Sequence, residues 1–485
     1  MVRFSLTLAL ALAALNAPLF AEMKFVAPET LAPVAIDTPI VTHHVGTFSG
    51  RKVAYQAMVE PFVTADLAGK PATRLIATSY IADKADSARP VMFVFNGGPI
   101  GATAPLHMGL FGPKRIAVPD DITRDPSTFK QVDNVYSPLD IVDIVIFDPA
   151  STGYSRMLPG VDPHSQFTTA EDSRQLAQLV GLWVKAHHRT GAPLYLVGES
   201  YGTLRAPEAA HQLQGTATPI SGLFLLGQAA NIIEYAQRRD NIVSYAVSLP
   251  TLAAIGWWHG KVVREGRTFD QFIKDAQDYG AGEYLSVLFL GNRAPAERRR
   301  AVAAKLQDFT GLPAETFLKA DLKVAKTQYQ RELLPGKVLD TNDARYAVSS
   351  GRTGASPDYG QSAQDYFHDF LAVPVAAGVY SVDIPTGGLN SWNWDAQKSP
   401  FGDWPWVGYL RQLMTDDPKF RLFVGNGYYD TQTTLGAMDY LVAQSGLPQN
   451  RVRTRYFQGG HMMYTVEASA KALSGEIHDM VAHRW

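Results

Sequence analysis

Apolar and polar positions along the first half of the chain fall into three registers. Residues 41–80 loosely alternate apolar and polar side chains and are β-prone, most clearly over Arg74-Leu75-Ile76-Ala77-Thr78-Ser79-Tyr80, a pattern that predicts half-buried strands. Residues 91–95 are instead continuously apolar and stop at Asn96-Gly97-Gly98-Pro99, and residues 141–147 form a second such run closed by Asp148-Pro149. Short apolar runs bounded by breakers predict strands covered on both faces. Residues 170–187 carry Leu176, Leu179, Val180 and Trp183 at helical spacing, and residues 203–214 also read as a helix. Between these lies the strand-like run 194–198, and 222–226 follows as one more. Strands alternating with helices imply a largely parallel sheet with helices on its faces.

After Asn231 the rhythm changes. Up to about residue 377 the pattern is mostly helical, with helices expected over 268–290, 294–311 and 314–333. Alternation then returns as a helix at 406–414, a strand at 421–425, a helix at 435–445, a strand at 453–457 and a helix at 468–482. The expected organisation is a core domain in two pieces, residues 22–231 and 378–485, interrupted by a helical cap at 232–377.

Gly198-Glu199-Ser200-Tyr201-Gly202 falls at the junction between strand 194–198 and the helix after it. A Gly-x-Ser-x-Gly at such a corner is the nucleophile elbow of the α/β-hydrolase fold: the serine sits on a sharp turn, and side chains two positions away would strike the neighbouring strand and helix. An activated serine needs a histidine base and an acid, and in this fold both follow it on loops after strands. Asp430 lies in the loop after strand 421–425, and His461 follows strand 453–457. Other histidines are placed worse, with His187 and His188 ending a helix and His478 and His483 in the terminal helical stretch. Developing negative charge on a carbonyl oxygen needs two convergent backbone N–H groups. Tyr201, directly after the nucleophile, supplies one, and Gly98 in the loop after strand 91–95 is the natural second. A Gly-Gly-Pro loop is also compatible with a plain tight turn.

Composition narrows the setting. The chain has 485 residues, 46% hydrophobic and 19% charged, with a formal net charge of −2 and scattered Lys and Arg, so nucleic acid is not an expected partner. Arg3 followed by the apolar stretch 4–15 and the small Ala21 predicts a signal peptide over residues 1–21, too short for a comfortable membrane span, and an exported, periplasmic or secreted product. The absence of cysteine excludes disulfides, thiolate metal sites and a cysteine nucleophile. No ligand spacing calls for a metal or another cofactor.

These motifs together resemble the serine carboxypeptidase family, peptidase family S10, which includes carboxypeptidase Y and cathepsin A. The resemblance rests on Asn96-Gly97-Gly98-Pro99, Gly109-Leu110-Phe111-Gly112-Pro113, Pro149-Ala150-Ser151-Thr152-Gly153-Tyr154-Ser155, Gly198-Glu199-Ser200-Tyr201-Gly202, Asp430 and Gly460-His461, in family order over most of the chain. It implies an α/β-hydrolase fold with a helical cap and removal of C-terminal residues from peptides. It also implies that Asn96, Gly97 and Glu199 bind the substrate's terminal carboxylate, with Glu199 carrying a proton because two like charges do not share a dry site. Three positions depart from the family pattern. Ile100 and Gly101 stand where Gly and then Cys or Ser are usual, Leu110 stands where a second carboxylate-binding Glu is expected, and Tyr464 replaces a Pro. The expected function is therefore a serine carboxypeptidase, with an esterase or acyltransferase on the same triad, or a catalytically silent binding protein of the same fold, as alternatives.

Overall fold

The computed structural model describes residues 34–84, 86–349, 357–382, 389, 392–395 and 402–484. The expected signal segment, residues 1–21, lies outside the described residues.

Nine strands form the spine of the central sheet. In chain order they are β1 (Ile40–Phe48), β2 (Arg51–Ala65), β3 (Pro71–Ala82), β4 (Val91–Phe95), β5 (Asp143–Phe147), β6 (Leu194–Glu199), β7 (Gly222–Leu226), β8 (Arg421–Gly427) and β9 (Val452–Phe457). Their spatial order is β1-β2-β3-β5-β4-β6-β7-β8-β9. The first three pair antiparallel, and β3 meets β5 antiparallel. From β5 to β9 every pairing is parallel. Strands β4 to β7 are buried along their whole length, which explains their unbroken apolar text: helices cover both faces.

Alternate side chains feed two separate cores. Met92, Val94, Val197 and Phe224 point to one face, where α5 (Glu467–Val481) packs Leu473 and Ile477. Phe93, Phe95, Leu196 and Leu225 point to the other, against Leu176 and Trp183 of α1 (Thr169–Ala186) and Ala206 and Ala209 of α2 (Gly202–Leu213). Leu410 of α3 (Pro405–Asp416) and Met438 of α4 (Leu435–Gln444) join that second core.

Between β7 and β8 the chain makes a long excursion whose helices build a third cluster around Leu252, Phe272, Phe309 and Tyr329. The helix Tyr359–Asp369 instead buries Tyr366 and Phe367 in the first core.

Element ends differ from the sequence reading in physically intelligible ways. The single helix expected at 314–333 is two, Ala314–Lys319 and Lys326–Glu332, because Asp321 and Leu322 take left-handed conformations between them (φ 53° and 64°). The helix expected at 268–290 is interrupted at Gly280–Tyr284 by a wider turn. Asn426 and Gly427, expected in a loop, continue β8 and pair with β9. Among the described residues no helix is long and apolar enough to cross a membrane.

Candidate active site

The C-terminal ends of β4, β6, β8 and β9 bring the predicted site residues to one edge of the sheet. Ser200 follows β6 directly and adopts φ 57°, a left-handed conformation that costs a non-glycine residue about 1–2 kcal/mol. The turn is held because Ser200 N–H donates to Leu226 O of β7 (2.9 Å), while the Ser200 carbonyl accepts from the N–H and hydroxyl of Thr203 (2.9 and 2.6 Å). A methyl on Gly198 would lie 2.2 Å from Gly202 O, and one on Gly202 would press on the Phe95 ring and carbonyl at 3.1–3.2 Å. Gly198 is therefore sterically required, and a side chain at Gly202 would be tight.

Asp430, fully buried, has every acceptor direction filled. Its Oδ1 accepts from Gln432 N–H (2.7 Å) and Thr433 N–H (3.1 Å), and its Oδ2 accepts from the Thr433 hydroxyl and from His461 Nδ1 (2.6 Å). The His461 ring is packed against Gly227, just past β7, where an added Cβ would stand 3.0 Å from Cε1. Burial pulls the imidazole's pKa down, but the charge and hydrogen bond of Asp430, with Glu199 beside them, carry it upward to about 9. With Nδ1–H committed to Asp430, Nε2 is the nitrogen left to exchange a proton. Among the described residues no hydrogen bond joins Ser200 to this ring, and such contacts often tighten only when substrate is bound.

Asn96, Gly97, Gly98 and Glu199 gather on the near side of the elbow. Gly97 lies so close that a Cβ would sit 2.5 Å from Tyr201 N, and Gly98, exposed, adopts φ 116°. Among the described residues neither the Gly98 nor the Tyr201 N–H donates a hydrogen bond, which leaves both free for an acceptor. Asn96 Oδ1 accepts from Leu106 N–H (3.0 Å), and this fixes the amide so that Nδ2 donates to Glu199 Oε1 (2.5 Å). Glu199 Oε2 and the Tyr464 hydroxyl are buried beside each other, close enough to interact but short of hydrogen-bond geometry. Burial raises the Glu199 carboxyl to about 7, with His461, Tyr464 and Asn96 partly opposing the shift. Leu110 is fully buried in the first core, and the Tyr464 ring covers Gly109 beside it.

Two contributors were missed in the sequence. Arg205 on α2 is wholly buried, and its guanidinium donates to Asn96 O (2.7 Å) and Pro99 O (3.0 Å) while pairing with Asp172 (2.7 Å). It braces the 96–99 loop from below. An arginine in the apolar stretch of an elbow helix, which must be covered, was the available signal. Lys326, half-buried on the helix Lys326–Glu332, donates to Gln432 O (3.0 Å), and burial lowers its ammonium to about 8 against the raising effect of Asp430. Nothing local marks it.

The sheet order, the β4/β5 exchange in that order and the elbow after β6 define the α/β-hydrolase fold. No family model matches the chain, and no curated protein matches it. Solved structures similar to it include a carboxyl esterase from Bacillus coagulans (10% identity, 87% of this chain and 99% of that one, TM-score 0.37). Proline iminopeptidase of Mycobacterium smegmatis (12%, 92% and 100%, TM-score 0.32) and the thioesterase domain of the curacin biosynthetic pathway (12%, 87% and 99%, TM-score 0.34) are others. Likeness at this level says nothing of substrate, and the fold assignment stands on the topology.

Proposed function

We propose that this chain is a serine hydrolase of the carboxypeptidase type. His461 Nε2 takes the proton of Ser200 as Oγ attacks the carbonyl carbon of the last peptide bond, and Asp430 holds the ring and stabilises its charged form. The oxyanion accepts from the Gly98 and Tyr201 N–H groups. His461 then protonates the departing amine, the C–N bond breaks, and a water deprotonated by the same ring hydrolyses the acyl ester on Ser200. Asn96, Gly97 and Glu199 receive the free carboxylate of the departing residue.

The observation that carries this reading over a general hydrolase is Glu199. A buried carboxyl raised to about 7, bonded through Oε1 to Asn96 and with Oε2 beside the Tyr464 hydroxyl, keeps its proton below that pH and is then a hydrogen-bond donor one residue from the nucleophile. A donor of that kind suits a carboxylate. The second reading, an esterase or acyltransferase on the same triad, is favoured by Leu110, whose buried apolar side chain offers no second acid.

The test compares a blocked dipeptide with its C-terminal amide and with a simple ester. Preference for the free carboxylate supports the carboxypeptidase, and equal or better turnover of amide and ester overturns it in favour of the second reading. Failure of a fluorophosphonate to label Ser200 would remove both and leave a silent binding protein. We also propose export through residues 1–21, for which the mature protein should begin at Glu22 on N-terminal sequencing.

A further inference from the structure

The loop that carries His461 is held from outside the sheet. Val338–Leu339 and Ala347–Val348 form a small antiparallel hairpin within the excursion between β7 and β8, and its loop, residues 340–346, reaches both triad loops. His461 N–H donates to Asn342 O (2.6 Å), and Gly460 N–H donates to Asp343 Oδ2 (3.0 Å). The approach is so close that a Cβ on Gly460 would lie 2.1 Å from Asn342 O. On the other side, Ala344 N–H donates to Tyr429 O (3.0 Å), the Thr431 hydroxyl donates to Thr341 O (2.8 Å), and Gln432 Nε2 donates to Asn342 Oδ1. Residues 429, 431 and 432 flank Asp430.

The loop is itself rigidly built. Asp340 Oδ1 accepts from the N–H groups of Asn342 (2.8 Å) and Asp343 (3.0 Å). Arg345 grips Asp343 through Nε and Nη2 (2.9 and 2.6 Å), and its guanidinium lies 5.5 Å from the ring centres of Trp258 and Tyr429. Asp343 thus connects a locked arginine to the backbone immediately before the histidine.

From this juxtaposition we infer that Asp343 is a positioning residue, setting the height of His461 against Asp430, so that the excursion between β7 and β8 supplies part of the catalytic scaffold. The proposal rests on the triad assignment above. A carboxylate oxygen is an acceptor without a donor of its own, so it suits the Gly460 N–H on one side and the Arg345 fork on the other. If this strut is removed, the 459–461 turn keeps its Asn342 contact but loses the lateral restraint that holds the 2.6 Å contact between the imidazole and Asp430. A displacement of about 1 Å at a catalytic group costs on the order of 100-fold in rate.

The experiment is the pair Asp343→Ala and Asp343→Asn in the full chain, with kcat per active site counted by fluorophosphonate titration. The expected result is a loss of about 10- to 100-fold in kcat for Asp343→Ala with KM within about twofold, and substantial recovery in Asp343→Asn, which retains an acceptor for Gly460. The acid limb of the labelling rate should also move to lower pH in Asp343→Ala. Of the ionisable groups that face His461, which are Asp430, Glu199 and Lys326, Asp430 is the one whose grip would loosen. Per-site kcat and acid limb both unchanged, with only thermal stability lowered, would overturn the proposal. Should Asp343→Ala not fold, Asp343→Ser shortens the strut away from the Gly460 N–H while leaving a polar group for Arg345, and an unchanged per-site kcat there overturns it equally. Absence of labelling in the parent protein would instead defeat the triad assignment, so the two failures are distinct.

Discussion

His461 Nδ1 stands 2.6 Å from Asp430 Oδ2, and Asp430 is the better anchored of the two because three further donors hold its carboxylate. The carboxylate is fixed and the imidazole is hung from it. Replacing Asp430 by Asn should lower kcat by about 10⁴, since the amide NH₂ forces the ring into the wrong tautomer. Ser200→Ala and His461→Ala should leave only the residual rate due to binding and the oxyanion site. Steady-state kinetics on the best substrate checks all three, and a loss of only a few-fold in Asp430→Asn would point to another acid.

Arg205 offers a test of the brace under the 96–99 loop. Arg205→Met leaves Asp172 buried without its partner and should cost about 3–5 kcal/mol. Adding Asp172→Leu removes the orphaned charge and should restore most of that stability. Activity should not return with it, because Asn96 O and Pro99 O remain unheld and Gly98 is no longer fixed for the oxyanion. Urea melts and kcat on the single and double variants decide this, and a fully active double variant would remove Arg205 from the site.

Gly227 should resist substitution for two separate reasons. Its φ of 53° is unfavourable for a side chain, and a methyl would press on the His461 ring at 3.0–3.1 Å. Gly227→Ala should therefore reduce kcat about tenfold while costing roughly 1–2 kcal/mol of stability. Parallel measurement of kcat and Tm separates the two effects.

Glu199 sets a pH dependence whose sign follows from its raised pKa. If the protonated acid receives a peptide carboxylate, KM for a blocked dipeptide should be flat below about pH 7 and rise roughly tenfold per pH unit above it. The matching amide or ester should show no such rise, and Glu199→Gln should flatten it. A wild-type KM that stays level to pH 8 or beyond would transfer preference to the esterase reading.

The same carboxyl affects stability. Its folded pKa of about 7 lies above the ordinary 4.5, so between those values the folded chain holds more protons than the unfolded one. The Glu199 contribution to stability should therefore fall as pH rises from about 4.5 to 7 and level off above, by about 3 kcal/mol in total. Glu199→Gln should be relatively more stable at pH 8 than at pH 5, as thermal melts at the two values would report.

Much of the architecture was legible before any coordinate. Unbroken apolar runs such as 91–95 and 222–226 became fully buried strands, and the glycines at 198 and 202 announced a turn that only a close-packed elbow requires. Asp430 and His461 could be chosen because each follows a strand and comes in the right order, which are properties of the chain alone. What surrounds them was not readable. Thr433, Lys326 and the 340–346 loop carry no local signature, because a periodic pattern reports only which face of an element is covered, and Arg205 shows only that its helix holds a buried charge, not what that charge holds. The Asp343–Gly460 bond joins residues 117 positions apart. Whether such a bond forms depends on how the helices of the excursion pack against the sheet. The sequence by itself therefore determined the strand order's raw material and the side chains proposed to react. Tertiary packing decided their burial, their proton affinities and the struts that hold them, because those depend on distances across the fold and not along the chain.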